Sequence, residues 1–102
     1  MNIEINTINT LIEKVWEKRA IQTLRLVNSM WFYNEVDFNI LWLKEDWLKK
    51  LRACLSKEWI VAKWKIWENS WYKWYINPYY FNRWKVREEL YNLFERYNKT
   101  LY

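Results

Sequence analysis

The sequence predicts an α+β domain in which an antiparallel sheet carries its helices on one face, and three observations lead there. Apolar residues recur at helical spacing in three stretches, β-branched and aromatic residues crowd the segments between them, and the pattern of the first half returns in the second. The expected architecture is two diverged ββα repeats, at about residues 20–56 and 59–98, preceded by a short N-terminal helix. A chain of 102 residues has room for one core, so residues 1–102 are read as a single domain.

The N-terminal helix is expected over residues 10–19. Thr10-Leu11-Ile12-Glu13 has the form of a capping box, and Leu11, Ile12, Val15 and Trp16 follow at helical spacing. From Ala20 to Val27 the β-branched and aliphatic content predicts a strand. Asn28-Ser29 punctuates it, Met30-Trp31-Phe32-Tyr33 forms its partner, and residues 34–39 form a loop. A helix from Ile40 to Ser56 shows Leu41, Leu48, Leu51 and Leu55 on one face with Trp47 and Cys54 beside them. Its back is solvated, with Glu45–Lys49 and Asp46–Lys50 in the favourable order. The second half repeats the plan: Trp59 to Trp67 as a strand, a turn at Glu68-Asn69-Ser70, a return strand from Trp71 to Ile76, a break at Asn77-Pro78, and a helix from about Arg83 to Asn98.

The halves also match residue by residue. Trp31, Asn34, Phe38 and Asn39 align with Trp74, Asn77, Phe81 and Asn82 at an offset of 43, and after a one-residue slip Trp42, Leu48 and Leu51 align with Trp84, Leu90 and Leu93. On this reading Asn34 and Asn77 end strands, while Asn39 and Asn82 cap the helices that follow.

Composition narrows the function. Glycine and histidine are absent, while tryptophan occurs ten times with eight tyrosines and four phenylalanines. Without glycine, turns that need positive φ are expected to recruit some of the eleven asparagines. Without histidine the commonest general base near neutral pH is missing, and without glycine there is no phosphate-cradling loop. Cys54 beside an apolar stripe reads as a buried, inert thiol. Glu45-Asp46 and Glu88-Glu89 are adjacent on helices, so each pair diverges. The expectation is a protein that is not an enzyme and holds no metal or cofactor. The single cysteine, the lack of a signal-like leader and apolar runs no longer than four residues point to an intracellular protein that does not enter membranes.

Hairpin register decides what the second unit exposes. With an odd-length loop at Glu68–Ser70, Ile66 faces Tyr72, Trp64 faces Trp74 and Ala62 faces Ile76. The other face then carries Trp67 with Trp71, Lys65 with Lys73, and Lys63 with Tyr75. An even loop mixes lysines into both faces, so the odd loop is preferred. The candidate binding strip is therefore Lys63, Lys65, Trp67, Trp71, Lys73 and Tyr75. Basic residues interleaved with aromatics on an open sheet suit nucleic acid; the same strip also reads as an aromatic ladder kept soluble by its lysines. The net charge of +5 lies mostly in residues 57–102, where nine basic groups stand against five acidic ones.

Short, glycine-poor chains rich in Trp, Tyr, Ile, Asn and Lys, with one Cys and two Met as here, resemble the orphan proteins of filamentous viruses that infect hyperthermophilic archaea. The resemblance covers the whole chain as length and style, and implies expression in the cytoplasm of an archaeal host cell. The leading expectation is a binding module for a protein or peptide, carried by surplus Trp and Tyr, a seam between the repeats and free hairpin edges. The alternative is nucleic-acid binding through the basic strip, and a third reading is a structural protein that forms homo-oligomers through these surfaces.

Overall fold

Leu11, Val15, Ala20, Thr23, Leu26 and Val27 are all buried, and they lie on one helix, α1 (Ile5–Asn28), that is 24 residues long. The computed structural model describes residues 5–30, 34–65, 68–81 and 88–101, with side chains to Glu95 in the last segment. The short helix expected over 10–19 and the strand expected over Ala20–Val27 are thus one element. β-Branched Thr23 is accommodated because its hydroxyl donates to Arg19 O at 2.8 Å, and burial of the whole face outweighs local strand preference. Thr10 bonds back in the same way, to Asn6 O at 2.8 Å, and does not cap the helix. Between Val15 and Ala20 the buried stripe advances by five positions where an unbroken helix advances by three or four. The backbone is kinked there, with Trp16 at φ 71° and ψ 164°.

The expected partner strand cannot pair with a helix; Trp31–Tyr33 lie outside the described residues. Among the described residues the first pairing strand is β1 (Glu35–Val36), inside the segment read as loop. Asp37 then caps a 3₁₀ turn (Phe38–Leu41) by accepting from Asn39 N at 2.9 Å. Asn39 therefore sits inside a turn and caps no helix; Asn82 is outside the described residues. Helix α2 (Glu45–Lys57) starts five residues later than expected, with Leu48, Leu51 and Leu55 buried as its spacing predicts. Glu45 takes Arg52 at 3.0 Å as its partner.

Helix α2 ends in a Schellman motif without glycine. Trp59 N donates to Ser56 O at 3.0 Å and Ile60 N to Leu55 O at 2.9 Å, with Trp59 at φ 55° in the place glycine usually takes. The hydrophobic contact that accompanies such ends is made by Ile60 and Leu55, both fully buried. Strands β2 (Val61–Trp64) and β3 (Lys73–Ile76) follow, then α3 (Glu88–Leu101) in the stretch read as a helix from Arg83, whose residues 83–87 lie outside the described ones.

The sheet is antiparallel with order β1-β3-β2. Val61 faces Ile76, Ala62 faces Tyr75, Lys63 faces Trp74 and Trp64 faces Lys73, one residue out of the expected register. Every side chain of β2 therefore changes its cross-strand partner. Val61, Ile76 and Trp74 join the main core with α1, α2, Phe38 and Phe81. Ala62, Trp64 and Tyr75 pack against Leu90, Leu93 and Phe94 of α3. The sheet is thus covered by helices on both faces, against the single covered face read from the sequence. α1, an element not foreseen at that length, shares the first face with α2, and α3 covers the second.

The first half consequently does not fold as ββα. What its match to the second half retains is burial: Asn34, Phe38, Asn77 and Phe81 are all in the interior. Asn77 ends β3, as expected, and its amide donates to Trp59 O at 2.9 Å while Oδ1 accepts from Tyr79 N at 2.9 Å. Asn34 immediately precedes β1. Its Nδ2 donates to Ile76 O at 3.2 Å and Phe81 O at 2.7 Å.

Candidate functional site

The six residues expected on one open sheet face do not share a face. Lys63 lies opposite Trp74. It and Lys65 both hold their ammonium groups over the Tyr72 ring, at 5.9 and 5.3 Å. Lys73 and Tyr75 occupy the other face: Lys73 pairs with Glu35 across the sheet at 2.7 Å, and Tyr75, 2% exposed, is covered by α3. Trp71 is 86% exposed beside the hairpin turn; Trp67 lies outside the described residues. What persists of the strip is a small basic-aromatic tip made of Lys63, Lys65, Tyr72 and Trp71.

A better-formed concavity lies between α1 and α2. It encloses about 350 Å³ over a floor of Val15, Leu43 and Leu51. Trp16 and Trp47 stand at its margin, 77% and 55% exposed. Three cations line the same cleft, Lys18 and Arg19 from α1 and Lys50 from α2. Lys18 and Lys50 approach one ring, with Nζ at 5.5 and 5.2 Å from the Trp47 centroid. Lys50 reaches it because residues three apart on a helix are neighbours, and Lys18 because the two helices pack. Arg19 donates from Nη1 to Cys54 Sγ at 3.6 Å, which ties α1 to α2 at the cleft and leaves Cys54 half-buried.

Local reasoning had placed Trp16 on the apolar face of its helix. The kink turns it outward, and no sequence period reports a change of backbone direction. Trp47 was visible as a ring beside the α2 stripe, with Lys50 one turn on. Its meeting with Lys18, 29 positions earlier, needs the fold.

Among the described residues no helix is long and apolar enough to cross a membrane. The chain matches no protein-family model, no curated protein and no solved structure.

Proposed function

We propose that this chain is a non-catalytic binding module that receives a segment of another protein in the cleft between α1 and α2. The observation that carries the reading is the pair of exposed indoles, Trp16 and Trp47, at the margin of an apolar floor. Large rings left in water around a concavity are the side chains on which binding energy concentrates, and a ~350 Å³ cleft matches the lower end of common ligand-site sizes. In keeping with the resemblance to archaeal viral proteins, the partner is met in the cytoplasm of the host.

Calorimetric titration with short peptides bearing a central aromatic or aliphatic residue tests this. Trp47→Ala should weaken the best peptide by about 2 kcal/mol, or about 30-fold, and Trp71→Ala, at the distant hairpin tip, should leave it unchanged. Peptide affinity indifferent to Trp47 rejects the cleft as the site.

The hairpin tip favours a second reading, because Lys63 and Lys65 flank Tyr72 beside exposed Trp71. With Lys73 paired to Glu35 on the other face, two lysines rather than three are offered to phosphates. For a single strand the slope of log K against log salt is then about −1.4, at −0.7 per contact. Absence of oligonucleotide binding at low salt removes that reading.

A further inference from the structure

The charges around the α1–α2 cleft narrow the class of peptide it takes. Three of its lining side chains are cationic and none is acidic. Among the described residues the ion pairs are Lys14–Glu58, Arg52–Glu45 and Lys73–Glu35, so none of the described carboxylates forms a salt bridge with Lys18, Arg19 or Lys50. Two of these cations are drawn to a single ring, Trp47. The ring quadrupole attracts each ammonium group, but the two repel each other. A carboxylate entering between them relieves that repulsion, and it does so beside an apolar wall that lowers the local dielectric and strengthens the attraction. Arg19 spends one of its five N–H donors on Cys54 Sγ, which leaves the others for a carboxylate.

We infer that the cleft selects an acidic segment of a partner protein: an apolar side chain enters between Trp16 and Trp47, and flanking carboxylates meet Lys18, Arg19 and Lys50. The inference rests on the peptide-binding reading above and specifies its ligand. A second copy of the chain is the poorer occupant, since each copy carries a net charge of +5 and association works against that repulsion. A nucleic-acid strand is also a poorer fit. It asks for cations spaced along a track of stacking rings, whereas these cations gather around one concavity with a floor of Val15, Leu43 and Leu51.

The test uses the full chain and three blocked heptapeptides with a common central tryptophan, flanked by glutamates, by glutamines or by lysines. Each is titrated calorimetrically at low and at high salt. The expected result is that the glutamate peptide binds about ten-fold or more tighter than the glutamine peptide at low salt, with the margin shrinking as salt screens the charges. The double charge reversal K18E/K50E should abolish that margin and shift preference to the lysine peptide. The milder K18Q/K50Q, which leaves Arg19, should cut the margin several-fold without reversal, so the conclusion remains testable if the reversal variant fails to fold. Equal affinity for the glutamate and glutamine peptides, or an acidic preference undiminished in K18Q/K50Q, overturns the charge inference and leaves peptide binding standing. If none of the three peptides binds, the peptide reading itself falls and this inference with it. Oligothymidylate that binds more tightly than the glutamate peptide and depends on Lys18 and Lys50 would assign the cleft to nucleic acid instead.

Discussion

Asn34 holds φ at 64°, buries its whole side chain, and spends both amide hydrogens on backbone carbonyls of Ile76 and Phe81. It thereby ties the start of β1 to the end of β3 and to the loop beyond, while its Oδ1 is buried with no partner. Asn34→Ala should destabilise the protein by about 2–4 kcal/mol, because two buried acceptors lose their donor and only one orphan oxygen is removed with it. Urea denaturation measures this; a loss within about 0.5 kcal/mol, the range of neutral surface changes, would show that the amide is not the link described. Asn34 was conspicuous in the sequence, as was Asn77, because both recur at one spacing. The other positive-φ positions were not: among the described residues they are Trp16, Trp42 and Trp59, all tryptophans. In a chain without glycine, the residue that happens to follow a helix or turn end must take the left-handed conformation. The position is set by where the element stops, not by the residue's own preference. At Trp59 the ring offsets part of that cost by packing edge-on against Phe94, with centroids 6.4 Å apart. Trp42, 90% exposed, has no such compensation.

At the scale of single elements, α1 departs most from local expectation. The kink at Trp16 places a bulky residue in a region of φ and ψ that is open to glycine almost alone. Glycine in a continuous helix costs about 0.5–1 kcal/mol relative to alanine. At this position Trp16→Gly should instead stabilise by about 1 kcal/mol, since relief of about 1–3 kcal/mol of strain exceeds the entropy that glycine adds to the unfolded chain. Thermal or urea denaturation reads the sign, and a clear destabilisation would mean that α1 runs straight through. The same variant should weaken peptide binding in the cleft, so strain and binding surface are coupled at one residue. The β2–β3 hairpin gives a related lesson. An odd loop looked favourable because it kept lysines off the buried face, but lysine is not confined to an open face. Lys63 and Lys65 hold their ammonium groups over the Tyr72 ring, and Lys73 ends on Glu35; each charge is met by a ring face or a carboxylate.

Over the whole molecule the interior is divided by the sheet. The larger cluster joins α1, α2 and the loops around Phe38 and Phe81 to one face, and the smaller holds α3 to the other through Leu90 and Phe94. Phe94 has the further task of covering the Trp59 ring at the glycine-free end of α2. Phe94→Ala should therefore cost about 3–5 kcal/mol, as for a large ring removed from a packed interior. The loss should be uneven. In native-state hydrogen exchange, amides of α3 should lose protection first while those of α2 keep most of theirs; equal loss in both helices would show that the two clusters unfold as one unit.

Periodicity within one segment was enough to find α2 and its buried leucines, the hairpin near 59–76 and its stop at Asn77-Pro78, because those features depend on neighbours in the chain. It was also enough for the α+β class. The segment Ala20–Val27 was ambiguous on the same grounds: its aliphatic and β-branched residues suit a strand, and only the large hydrophobic surface presented by α2 and the sheet makes the helix the form that buries most. Register, the covering of both sheet faces and the cleft itself are non-local for the same reason. Trp47 and Lys50 advertise an aromatic and basic turn of α2, but Lys18, Arg19 and Trp16 join them through a kink and a helix–helix contact. The free energy that sets those comes from burial between distant segments, which no local pattern encodes.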